Sequence, residues 1–68
     1  NVKEFLEYLK KSANNGDSKA LYNLGDLYVR GKLGVRRDEK KGIEYLRLSA
    51  LKGHTKSISV LKELGVEI

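Results

Sequence analysis

The chain contains no cysteine, no proline and no tryptophan, and His54 is its single histidine. Without cysteine there is no disulfide framework and no thiolate zinc site, and the lack leans toward an intracellular compartment. One histidine and no cysteine leave a metal site short of ligands. No apolar run reaches the length of a membrane span, and no signal-peptide pattern opens the chain. No stretch alternates at period two, so no strand is expected. At 68 residues the chain has room for one small domain with a thin core, which argues against long lids and a deep catalytic cleft.

What is present suits helices. Leu, Lys and Glu are abundant, and all are good helix formers. The net charge of +5 favours solubility and raises the question of acidic partners or nucleic acid. Acidic and basic residues are interleaved along the chain, so a solvated basic surface is preferred over a nucleic-acid face. The first residue is Asn, and the last three are Val66, Glu67 and Ile68. This has the look of a piece of a longer protein.

The strongest signal is internal repetition. Sliding the chain by 37 positions pairs Lys3 with Lys40, Glu7 with Glu44, Tyr8 with Tyr45 and Leu9 with Leu46. Ser12 meets Ser49, Ala13 meets Ala50, Gly16 meets Gly53 and Lys19 meets Lys56. Leu24 with Leu61, Leu27 with Leu64 and Val29 with Val66 bring the identities to 11 over 31 overlapping positions. Composition alone would give about three. A period of this size marks a solenoid or similar array, in which each unit hides its apolar face against a neighbour.

Periodicity and capping residues place four helices. The first spans about 2–14, with Val2, Phe5, Leu6, Leu9 and Ala13 on one stripe, Asn1 as N-cap and Gly16 beyond its end. The second spans about 18–30 after Asp17-Ser18, with Ala20, Leu21, Leu24, Leu27 and Tyr28 inward and Gly31 ending it. Residues 31–37 form the connection. The third spans about 39–52, capped by Asp38, with Ile43, Tyr45, Leu46, Ala50 and Leu51 inward and Gly53 stopping it. The fourth spans about 55–64, capped by Thr55, with Ile58, Leu61 and Leu64 inward; Val66–Ile68 is a short tail.

Leu24-Gly25-Asp26-Leu27-Tyr28, Gly34-Val35-Arg36-Arg37-Asp38, Lys41 and Ser49-Ala50-Leu51-Lys52-Gly53 together resemble a Sel1-like repeat, a branch of the tetratricopeptide-like helical repeats. The resemblance covers one full repeat from about Ala20 to Gly53, with half-repeats on either side. It implies an all-α fold: an α-α superhelix or solenoid of antiparallel helix hairpins, in the order B-A-B-A, over a single domain 1–68 from a longer array. It also implies adaptor work in multiprotein assemblies. The chain departs from the pattern in four places. Tyr45 stands where Trp is common, Gly42 and Ser49 stand where Ala is usual, and Leu33 lengthens the loop by one residue. Gly25 costs about 1 kcal/mol relative to Ala in mid-helix, which makes sense if a facing helix must approach closely. Ala20 and Ala50 are small for the same reason, while Tyr28 and Tyr45 fill wider gaps. Phe5 occupies the first-copy equivalent of Gly42 and Lys62 the last-copy equivalent of Gly25, so neither outer position is built for such an approach.

Catalytic readings find little support. A Ser-His-Asp arrangement would need a serine, His54 and Asp17 or Asp38 to converge, and nothing in the sequence brings them together. Gly31-Lys32-Leu33-Gly34 lacks the spacing of a phosphate loop and follows a helix rather than a strand. In Arg36-Arg37-Asp38-Glu39-Lys40-Lys41 the acids split the basic run, so a solvated helix start is preferred over a nucleic-acid contact.

The expected function is therefore non-catalytic, with no cofactor and no metal: a scaffold that binds a peptide or protein partner. In solenoids the face of the A helices turned away from their B partners lines the concave groove. Here that face carries Lys19, Tyr22, Asp26, Val29 and Arg30 on the first A helix and Lys56, Ser59 and Glu63 on the last. Tyr22 and Arg30 are the foremost candidates, because aromatic residues and Arg are frequent contact anchors. The alternative is a basic helical module binding nucleic acid or another acidic surface. Self-association through open array ends is a further expectation.

Overall fold

A computed structural model of the chain describes residues 1–66. Four helices follow one another: α1 (Val2–Asn14), α2 (Ser18–Arg30), α3 (Glu39–Leu51) and α4 (Thr55–Glu63). Among the described residues there is no strand. Of the expected tail, only Val66 lies within the described residues.

Three of the helix starts are set by side chains that satisfy backbone N–H groups otherwise left without partners. Asn1 Oδ1 accepts from the Lys3 amide at 2.8 Å. Asp17 Oδ1 accepts from the amides of Lys19 and Ala20 at 2.9 and 3.3 Å, and Asp38 Oδ1 from that of Lys41 at 3.1 Å. The fourth start corrects the expectation. His54, not Thr55, occupies the N-cap, and its side chain makes no capping hydrogen bond. The far ends also stop a residue early: Lys52 is the C-cap of α3 and Leu64 that of α4.

The helices pack in chain order, α1 on α2, α2 on α3 and α3 on α4, with the most extensive contact between α2 and α3. Leu9, Ala13, Ala20, Leu21, Leu24 and Leu27 form one apolar cluster between α1 and α2. Val29, Leu46, Ala50 and Leu61 form a second, with Tyr22, Ile43, Ile58 and Val66 against it. The centre of the α2–α3 contact is a pair of glycines. A Cβ on Gly25 would lie 2.9 Å from the Gly42 carbonyl oxygen, and a Cβ on Gly42 would lie 2.7 Å from the Gly25 carbonyl oxygen. The two backbones meet directly, which explains glycine in the middle of α2 and in the first turn of α3.

A polar chain runs through the same region. Ser57 Oγ bonds Ser49 Oγ at 2.7 Å, and Ser49 Oγ donates to the Ser18 carbonyl oxygen at 2.7 Å. Both hydroxyls belong to fully buried residues. The chain ties α4 to α3 and α3 to the start of α2, and its groups are mutually satisfied, as burial requires.

Three expected core positions face outward: Val2 at 48% exposure, Phe5 and Leu51. Leu51 is 77% exposed. It lies five residues beyond Leu46, about 140° around the helix, whereas Gly42, Leu46 and Ala50 share one side. Phe5, at 45% exposure, sits at the outer edge of α1, where no helix covers it among the described residues. Tyr28 and Tyr45 stack nearly parallel, ring centroids 5.8 Å apart, with Lys41 Nζ 4.9 Å from the Tyr28 centroid.

The connection from α2 to α3 folds back on the helix it leaves. Gly31, at φ 66°, closes α2 in the left-handed conformation. The Asp38 amide donates to the Tyr28 carbonyl oxygen at 2.8 Å, and Arg37 Nε donates to that of Val29 at 3.1 Å. Leu33 takes φ 56°, the one non-glycine residue with positive φ among those described.

Candidate partner-binding groove

Packed between two neighbours, α2 needs a wide apolar arc, and six of its 13 residues are buried. This corrects one member of the expected binding face. Val29 is 9% exposed, and a Cβ on Gly42 would fall 2.5 Å from its Cγ2. It belongs to the α2–α3 contact and has no surface to offer. The α2 helix packs on both α1 and α3, and the contact with α3 takes Val29.

The remaining residues divide into two ends. At the start of α2 and α4, Lys19, Tyr22, Asn23, His54, Thr55 and Lys56 line a groove of about 170 Å³. Tyr22 is half-buried there because its ring stacks on that of His54, centroids 5.1 Å apart and 19° from parallel. His54 Nδ1 is enclosed and has no hydrogen-bond partner among the described residues. At the other end, Arg30 Nε donates to Asp26 Oδ1 at 2.6 Å, one turn apart on α2. The hydrogen bond and charge of Asp26 hold the Arg30 guanidinium above its ordinary pKa, and Glu63 on α4 acts in the same direction. Ser59 and Glu63 are exposed on α4.

Lys19, Tyr22 and Lys56 are thus brought together, Asp26 and Arg30 form a separate pair near Glu63, and Ser59 stands apart. Sequence reasoning missed Asn23 and His54 as members of the groove. Asn23 could have been found one turn beyond Lys19 on the same face. His54 could not, because its stacking partner lies 32 residues away and nothing local signals the contact.

The arrangement offers hydrogen-bond donors, a stacked aromatic pair and two lysines. Among the described residues no group of three His, Cys, Asp or Glu side chains gathers as a metal ion would need. No helix of those described is long and apolar enough to cross a membrane.

The sequence profile described as the Sel1 repeat matches residues 6–17 and 18–54. The chain belongs to the Sel1 repeat family. The second match starts at the first residue of α2 and ends at the N-cap of α4, so one family unit comprises α2, the connection and α3. Members of this family are generally non-catalytic protein–protein interaction modules. Among similar proteins, a putative Sel1-like repeat-containing protein of Acanthamoeba polyphaga mimivirus is 44% identical over 97% of this chain and 14% of its own length. An ERAD-associated E3 ubiquitin-protein ligase component of Arabidopsis thaliana is 34% identical over 90% of this chain and 9% of its own length. The chain therefore spans about one seventh or less of the length of these relatives. No solved structure matches it.

Proposed function

We propose that this Sel1-repeat segment is a non-catalytic scaffold that holds a peptide or protein partner along the exposed strip of α2 and α4, which act as the A helices lining a concave face. The observation that carries the reading is the uncovered strip itself. The packing of α2 and α4 leaves Lys19, Tyr22, Asp26, Arg30, Lys56, Ser59 and Glu63 at least partly accessible on two helices held in fixed relation. A strip on packed helices presents its contact groups from a backbone already ordered, which lowers the ordering cost at the moment of binding. Family membership supports an interaction role, and the Arabidopsis relative is by its description a component of a larger ligase.

The test is selection followed by mapping. Peptides selected on this chain from a random display library are titrated into isotope-labelled protein, and amide shifts are followed residue by residue. Shifts concentrated at Tyr22, Asp26, Arg30, Lys56 and Glu63 support the reading. Shifts confined to the outer side of α3, at Arg47, Leu48 and Leu51, end it.

A further inference from the structure

The two ends of the strip differ in how their charges are paired. Lys19 and Lys56 line the groove at the helix starts, and neither takes part in an ion pair among the described residues. Asp17, the acid nearest in sequence, does not line this groove; its Oδ1 is directed to the amides of Lys19 and Ala20. The far end is different: Arg30 is paired with Asp26, and Glu63 lies near enough to act on it. The helix ends reinforce the contrast. Both α2 and α4 begin at the groove; the Asp17 carboxylate caps the start of α2, while the start of α4 has no side-chain cap, so its positive pole stays open there. Asn23 adds an amide donor, and the stacked Tyr22 and His54 rings form an apolar wall beside the lysines.

We infer that the groove between the starts of α2 and α4 takes the carboxylates of an acidic peptide segment, seated between Lys19 and Lys56 with Asn23 alongside. This rests on the reading of the α2–α4 strip as the partner-binding face and narrows the partner to one with acidic side chains at that end. Charge complementarity selects the occupant: a basic or neutral segment gains nothing from two unpaired lysines.

The experiment uses an acetylated octapeptide with three consecutive glutamates and its glutamine counterpart, with binding read by fluorescence anisotropy and amide shifts. The glutamate peptide is expected to shift Lys19, Asn23, Thr55 and Lys56 and to bind roughly tenfold tighter than the glutamine peptide, the scale of a few exposed charge pairs. Lys19→Glu with Lys56→Glu is expected to abolish that preference, whereas Lys10→Glu with Lys11→Glu, the same change of net charge on α1, is expected to keep it. Equal binding of both peptides in the groove overturns the carboxylate inference and leaves the strip intact as a binding face. Equal loss in the Lys10 and Lys11 variant overturns it in favour of bulk charge. No binding by either peptide overturns it too, while shifts confined to the outer side of α3 count against both readings.

Discussion

Replacing Gly42 with alanine puts two lines of reasoning in direct opposition. Alanine is usual at this position of the repeat, and a glycine-to-alanine change inside a helix favours folding by about 1 kcal/mol. Both facts predict a more stable protein. The packing predicts the reverse. The new Cβ would stand 2.5 Å from Val29 Cγ2, 2.7 Å from the Gly25 carbonyl oxygen and 2.9 Å from the Val29 amide nitrogen. The valine methyl could rotate away, but the other two atoms are backbone, so α2 and α3 would have to separate along their longest seam. Overpacking of this kind costs about 1–3 kcal/mol, and a contact made by main-chain atoms belongs at the upper part of that range. Subtracting the helix gain leaves a net loss of about 1–2 kcal/mol. In a domain of this size that lowers Tm by about 4–8 °C for each kcal/mol. Thermal and urea unfolding followed by circular dichroism measure it. A Gly42→Ala protein that melts at or above the wild-type temperature refutes the direct glycine-to-glycine contact.

Other substitutions test separate parts of the structure. Gly25→Leu adds a branched side chain where a single Cβ already meets Leu46 Cγ at 2.8 Å, so it should destabilise by about 1–3 kcal/mol or more in the same unfolding assay. Ser49→Ala strands the buried Ser57 hydroxyl and should lose about 1–3 kcal/mol, whereas Ser49→Ala with Ser57→Ala removes both partners and should recover most of it; a double-mutant cycle that shows simple additivity contradicts the hydrogen-bonded chain. Leu33→Gly relieves a left-handed conformation that costs a side-chain-bearing residue about 1–2 kcal/mol, and after the added freedom of the unfolded chain a gain of about 0.5–1 kcal/mol should appear as a higher urea midpoint. Tyr22→Ala with Arg30→Ala should leave far-UV circular dichroism unchanged while weakening a display-selected peptide several-fold; an unchanged Kd removes both residues from the binding face.

Features written in local spacing were legible in the sequence. The helix starts at Asn1, Asp17 and Asp38 are each decided within four residues, and the close approach at Gly25 follows from the cost of glycine in mid-helix. Positions that depend on the number of neighbours were not. Val29 and Leu51 each lie about 140° from the middle of their helix's apolar stripe, at Leu24 and Leu46. The same angular offset buries Val29 between α2 and α3 and exposes Leu51 on the outside of α3, because a helix lies on that side of α2 and none of those described lies on that side of α3. A stripe alone cannot distinguish the two cases. The chain from Ser57 through Ser49 to Ser18 was hidden for another reason. Serine in a helix reads as a surface or capping residue, and only the placement of three helices together reveals a partner 31 positions away.

That buried chain of hydroxyls also governs how the helices can move. Smooth seams of glycine, alanine and leucine resist being pulled apart, yet they allow one rod to creep lengthwise past another. Bonds with a preferred direction do not allow creep: a slip of an ångström or two along the axis would break the link at Ser49 and leave its ends dry and unsatisfied. Since the link lies at the same level as the starts of α2 and α4, it works as a pin through three rods and holds the backbone from which the flanking lysines extend.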